Sequence, residues 1–256
     1  VAIRSVLINV TDVQRSVDFY TRFLDVEVLS QDDDGAVLDA VVGVIRLVKV
    51  SGETVSTWDS DDLQAGFRHV GFKVSDLDAR VESLKTAGVP FHLDPIEAEG
   101  GVRITFFFDP DGTLLELVER ALQYHEVYDR ELVDADWALG DPERPRFDHV
   151  AETVEDIDAT IAYFAQLGYA RMSGIHQAWD PRGYEIDFLR DGDSSLEIFT
   201  YAKADKTHRV PQLDAPGFLA VEFDGAIPVD ATPVGDTAGV TLVADPDGLV
   251  HTATED

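Results

Sequence analysis

Cysteine is absent from the 256 residues, which excludes disulfides, thiolate zinc sites and cysteine nucleophiles. Basic side chains are scarce, with 20 Lys and Arg against 50 Asp and Glu and a formal net charge of −30. Such an excess repels phosphate backbones and anionic headgroups, and no local basic cluster offsets it. Neither nucleic acid nor a membrane surface is therefore an expected partner. Long apolar runs are missing too. None approaches the ~18 residues that span a bilayer, and the N-terminal residues lack the charged, apolar and small-residue pattern of a leader, so a soluble, cytoplasmic protein is expected. What is present is enough apolar sequence for two domains or one large one.

The most informative stretch is 67–119. In FRHVGFKV, Val70, Phe72 and Val74 alternate with His69, Gly71 and Lys73. This predicts a half-buried strand with His69 on the face opposite the apolar residues. Asp76 stands where a helix cap belongs, Leu77, Val81 and Leu84 follow at helical spacing, and Gly88 stands past the last turn. Further on, DPDG from Asp109 to Gly112 signals a turn, and Leu115 and Leu117 alternate with Leu114, Glu116 and Val118 behind it. One β-α-β-β-β unit thus carries a histidine on its first strand and a carboxylate on its last, both turned away from the helix-packed face.

The unit recurs. Residues 4–30 repeat the strand, the cap (Asp12) and a helix with Val17, Phe19 and Tyr20; residues 146–172 repeat them with His149, Asp156 and Gly168. A worn fourth copy opens on GFLAVEFDG and closes on DPDGLVHT. Superposing the alternations puts Ser5, His69, His149 and Phe218 at the first-strand position, and Arg46, Glu116, Glu197 and Thr252 at the last. The fourth copy is short by about a helix, and AIPVDATPVGDTAG, where that helix would fall, has too many Pro and Gly residues to form one. The expected organisation is a first module pair over 1–120 (modules 1–50 and 66–120), a linker over 121–145 whose first half is a helix candidate, and a second pair over 146–256 (modules 146–202 and 216–256).

The histidine strand, the Asp-capped helix and the closing DPDGxxxE strand resemble the vicinal oxygen chelate superfamily, the group of glyoxalases, bleomycin-resistance proteins and extradiol dioxygenases. The resemblance implies an α+β fold of four βαβββ modules forming two curved mixed sheets, each a glyoxalase-like cup made from two modules. In that family each module contributes its first-strand and last-strand side chains to its cup. If the modules pair one with two and three with four, each cup receives one His and one Glu. If they pair two with three and one with four, a single cup receives His69, Glu116, His149 and Glu197, and the other receives none. The second pairing is the expectation, because two ligands are too few to hold a metal tightly.

On the resemblance, the four residues would hold one divalent metal ion. Imidazole and carboxylate together suit Fe, Mn, Co, Ni or Zn alike. The implied chemistry is that of a glyoxalase-like lyase or isomerase, in which the metal chelates oxygens of a small substrate and either Glu116 or Glu197 moves a proton. Trp179, Tyr184 and Tyr201 are candidates to wall an aromatic substrate, though such residues are more often core. Two alternatives stand beside this. One is an Fe(II) extradiol-type ring-cleaving dioxygenase using His69, His149 and Glu197, which leaves Glu116 spare and needs ligands that the fourth module lacks. The other is a non-catalytic binding or resistance protein, for which an empty outer cup would suit a small molecule. Plainer readings attach to single residues. Arg46 reads as a salt-bridge partner or a substrate contact; Lys73 shares the face of the cup with His69 but reads first as a solvated strand lysine. His251 reaches the fourth module's ligand face only through a one-residue slip, and His92, His125, His176 and His208 have no assigned role. A monomer or a homodimer fits equally, since four modules complete both cups within one chain.

Overall fold

The computed structural model of the chain describes residues 3–237 and 239–254. Module one is β1 (Ile3–Val10), α1 (Val13–Leu24), β2 (Glu27–Gln31), β3 (Gly35–Asp39) and β4 (Val44–Lys49). Module two is β5 (Gly66–Val74), α2 (Leu77–Thr86), β6 (Phe91–Glu97), β7 (Arg103–Phe108) and β8 (Leu114–Glu119). Next come a short strand, β9 (Glu126–Val127), and a helix, α3 (Arg130–Ala138). Module three is β10 (Arg146–Thr153), α4 (Ile157–Ala165), β11 (Ala170–His176), β12 (Tyr184–Asp191) and β13 (Ser194–Tyr201). Module four has no helix among the described residues: β14 (Gly217–Asp224), β15 (Thr232–Thr237), β16 (Val240–Ala244) and β17 (Val250–Thr254). The class is α+β, and no helix among the described residues is long and apolar enough to cross a membrane.

The strands form two mixed sheets. A nine-stranded sheet runs β6-β7-β8-β5-β10-β13-β12-β11-β9, and an eight-stranded sheet runs β15-β16-β17-β14-β1-β4-β3-β2. Module two therefore lies beside module three across the antiparallel β5–β10 pair, and module one beside module four across β1–β14. Modules adjacent in sequence meet differently, through their turns. The carboxylate of Asp111 in the first DPDG turn accepts hydrogen bonds from Thr11 N and from the side chains of Arg15 and Ser16 at the start of α1. Asp247 in the second DPDG turn accepts from Glu155 N just before α4. One continuous apolar cluster joins α1, α2 and α4 with residues from both sheets, including Val70, Phe72, Val150 and Phe223.

Local chemistry accounts for most of the elements. Asp12 caps α1 by accepting from Arg15 N at 3.0 Å, and Asp156 caps α4 by accepting from Asp158 N and Ala159 N; each such cap is worth about 1 kcal/mol. Asp76 holds the same position before α2 but makes no capping bond. Its carboxylate turns to Arg80, and Leu77 N donates instead to Glu119 Oε1 at 2.9 Å.

Four other expectations are corrected. The β5 strand is buried on both faces, because one side meets the helices and the other lines the cup. Residues 121–145 are more than a connection with a helix in its first half: β9 pairs with β11, and α3 straddles the middle of the segment. Asp129 caps α3, and Val133 packs with Met172, Ile175 and Phe188. Lys73 is buried rather than solvated. Finally, the last-strand residue of each of the first three modules pairs two positions beyond its first-strand residue: Leu7 with Arg46, Gly71 with Glu116, Ala151 with Glu197. Thr252 pairs with Glu222, so the matching first-strand residue is Ala220 and not Phe218. Phe218 corresponds to Phe67, and the two rings stack with centroids 3.6 Å apart.

Candidate metal centre

His69 stands on β5, Glu116 on β8, His149 on β10 and Glu197 on β13. The cross-strand pairs His149 with Gly71, Ala151 with His69, Gly71 with Glu116 and Ala151 with Glu197 gather the four side chains on one face at the centre of the nine-stranded sheet. Their tips converge. The two Nε2 atoms are 3.0 Å apart; Glu116 Oε2 lies 3.2 Å from His69 Nε2 and 3.0 Å from His149 Nε2, and Glu197 Oε2 lies 3.2 and 3.3 Å from the same nitrogens. All four donor atoms fall within 4.8 Å of one another. Donors about 2.1 Å from a common ion are about 3.0 Å apart at a right angle and about 3.4 Å apart in a tetrahedron. The observed separations are those of such a polyhedron, so the donor set fits a divalent transition ion.

The electrostatics agree. Burial pushes the Glu116 carboxyl up, yet the imidazoles of His69 and His149 outweigh it and hold the group at about 2. Burial pulls His149 down, but the carboxylates of Glu197, Asp148 and Glu116 hold it well above the usual imidazole range. A buried group this rich in acceptors favours a cation, whether a proton or a metal ion, and a metal ion would bind there by displacing protons.

Two neighbours fix the geometry. Asp148 Oδ2 lies 3.0 Å from His149 Nδ1. A carboxylate there accepts a hydrogen bond from Nδ1–H, which leaves the Nε2 lone pair directed at the cluster. The Asp148 carboxyl is held at about 2, since His149, Lys73 and Arg146 together outweigh its burial. The second neighbour is Gly71, where a Cβ would fall inside the ring of His149, meeting Cε1, Nε2 and Nδ1 alike. Sequence reasoning passed over both. Asp148 precedes His149, so strict alternation turns it to the other face; a register shift in β10 between Phe147 and His149 brings it round. Gly71 did carry a signal, because a glycine inside a strand marks close approach.

The cluster opens into a cavity of about 650 Å³. Trp179, Tyr184 and Tyr201 all line it; Tyr184 and Tyr201 stack 4.7 Å apart, and Trp179 is 67% exposed at the mouth. Lys73 and Arg146 pair across the strands and also line it. Lys73 donates to the carbonyl of Arg120, and Arg146 to those of Leu139 and Gly140 past the end of α3. Neither forms an ion pair among the described residues, and Arg146 Nε has no acceptor.

The remaining candidates lie elsewhere, apart from His92, which also lines the cavity. His125 and His176 meet Glu99, Glu126 and Glu185 on the surface, and His208 meets Glu155. In the outer cup, Glu222 accepts from Ser5 Oγ at 2.6 Å and Arg46 Nη1 at 3.3 Å, so an ion pair occupies the place that corresponds to the cluster. His251 does not join it. Its Nε2 lies 2.7 Å from Tyr163 Oη in the core, where burial lowers the imidazole to about 4.

Fold and site together define a class, the double-cup α+β proteins built from βαβββ modules with two histidines and two glutamates at the floor of one cup. The chain belongs to the Glyoxalase/Bleomycin resistance protein/Dioxygenase superfamily, whose family model matches residues 2–117. It is 30% identical over 144 residues to a lactoylglutathione lyase of Pseudomonas aeruginosa, across 45% of this chain and 81% of that protein. It is 33% identical over 126 residues to a probable chloroplastic lactoylglutathione lyase of Arabidopsis thaliana, across 45% of this chain but only 35% of that protein's length. The crystal structure of glyoxalase I from Zea mays superposes with a TM-score of 0.69 at 18% identity, covering 99% of this chain and 92% of that one, a likeness of fold.

Proposed function

We propose that the chain is a divalent-metal-dependent lyase or isomerase of the glyoxalase type that moves a proton on a small oxygenated substrate. The observation that carries this reading is the convergence of two imidazole nitrogens and two carboxylate oxygens at separations of 3.0–3.3 Å. His69, Glu116, His149 and Glu197 would hold the ion, which when bound supplies Lewis-acid polarisation of two substrate oxygens. Glu197 is the better base. Its side chain is 12% exposed against 6% for Glu116, and Glu116 is the carboxylate that the imidazoles hold at about 2. From the cavity side, Glu197 takes a proton from the carbon beside a substrate oxygen and returns it to the neighbouring atom. Lys73 and Arg146 line the cavity without a direct ion pair and act on Asp148 only through space, so they favour a substrate that carries an anionic group, with the aromatic wall packing against its body.

Two features weigh against the other readings. Ring cleavage on a three-residue face leaves Glu116 idle, yet Glu116 lies as close to both histidines as Glu197 does. A binding role for the outer cup meets the Ser5–Glu222–Arg46 network already seated there. The test is turnover of 2-oxoaldehyde–thiol adducts and other oxygen-chelating substrates under anaerobic conditions in deuterated water. Metal-dependent activity with deuterium incorporation, abolished by a chelator, is expected. Activity that instead requires oxygen and a catechol would replace the proposal with ring cleavage.

A further inference from the structure

We infer that Glu152 and Asp245 share one proton and form a pH-sensitive latch tying the closing turn of module four to the first strand of module three. The repeat itself points there. In the first pair of modules, Asp109 of the DPDG turn accepts from Asp111 N and Thr113 N on Oδ1, and from the Tyr20 hydroxyl at 2.8 Å on Oδ2. In the second pair, Asp245 Oδ1 accepts from Asp247 N, Gly248 N and Leu249 N. Counted from the capping residues Asp12 and Asp156, however, Tyr20 corresponds to Phe164, which has no hydroxyl to give. Counted from Ser5 and His149, Ile8 corresponds to Glu152. The second pair has lost a donor on the helix and gained a carboxyl on the strand.

That carboxyl is fully buried. Neither oxygen of Glu152, nor Asp245 Oδ2, receives a hydrogen bond from another group. The turn lies against this end of β10: Glu155 N donates to Asp247 Oδ1, and Gly66, paired with Thr153, abuts the backbone of Asp247 and Gly248. Two bare carboxylates brought together there would be severely destabilising, whereas one carboxylic acid donating to the other carboxylate satisfies both. Among the described residues no cation pairs with either carboxyl. Asp247 on the same turn is acidic, Tyr163 on α4 is engaged with neutral His251 on β17, and Lys206 and His208 are taken by Glu155. Burial, then Asp245 and Asp247, hold Glu152 well above the carboxylate range, and burial raises Asp245 to about 6. Because both groups are raised on folding, their contribution to stability is complete below the ordinary carboxylate pKa and is lost as pH rises through the folded values.

The latch is testable without reference to catalysis. Infrared spectra at pH 7 are expected to show a protonated carboxyl C=O stretch in the wild type that is absent from Glu152→Gln. The wild-type melting temperature should fall by several degrees relative to Glu152→Gln between pH 5 and 10, since the amide donates but does not titrate. The double variant Glu152→Ile with Phe164→Tyr, which transplants the donor arrangement of the first pair, should also lose the carboxyl band at pH 7 and the part of the slope above about pH 7, keeping only that of a single carboxyl like Asp109, which burial raises to about 6. A wild type without the carboxyl band at pH 7, or parallel pH profiles in wild type and either variant, overturns the inference.

Discussion

Gly71→Ala is expected to abolish binding at the proposed metal centre although none of the four donors is altered. The added methyl would fall within the ring of His149, with which Gly71 is paired across the β5–β10 ladder. The backbone cannot recede, because β5 and β10 are central strands bonded on both sides, so the imidazole must swing away. Its Nε2 then leaves contacts of 3.0 and 3.3 Å with the two carboxylates. Losing even an outer partner of a metal ligand lowers affinity by about 10–100-fold; expelling a ligand should exceed the upper figure. Stability should fall by only about 1–3 kcal/mol, the usual cost of overpacking. Metal titration beside thermal unfolding separates the two effects. A folded Gly71→Ala protein with wild-type affinity would show that the His149 ring does not need the space over Gly71.

Substituting the two glutamates should divide holding the metal from moving the proton. Glu197→Gln keeps an oxygen at the cluster but removes the proposed base, so turnover is expected to fall about 10²–10⁴-fold, the usual contribution of a positioned base, while metal content stays near the wild-type level. In Glu116→Gln the buried carboxylate is replaced by a neutral amide between His69 and His149, and metal affinity should suffer first. Turnover measured at saturating metal, together with metal binding by both variants, distinguishes the roles. Equal turnover in Glu197→Gln and wild type would assign the base elsewhere.

The repeat and the α+β class were legible because the first strands of the modules bury one face on the helices: Val70, Phe72 and Val74 alternate with His69, Gly71 and Lys73, and the DPDG turns mark the closing strands. Irregularity hid the rest. The bulge that turns Asp148 toward His149 breaks the period on which face assignments rest. Phe218 was misplaced because the fourth module lacks the helix that would anchor its register, and only its pairing with β17 identifies Ala220. Residues 121–145 read as a connection because β9 spans two residues and α3 only nine, too short for a firm helical period. Lys73 looks like a surface lysine in one dimension; only its place in the cavity wall beside Arg146, with the Arg120 carbonyl as acceptor, buries it.

The most direct test of the proposed centre is elemental analysis of protein purified without chelators, with His69→Ala and His149→Ala prepared in parallel. About one transition metal per wild-type chain, lost from both variants, is the predicted result. Metal retained by either variant, or none bound by the wild type even after reconstitution, would contradict a single centre shared by modules two and three.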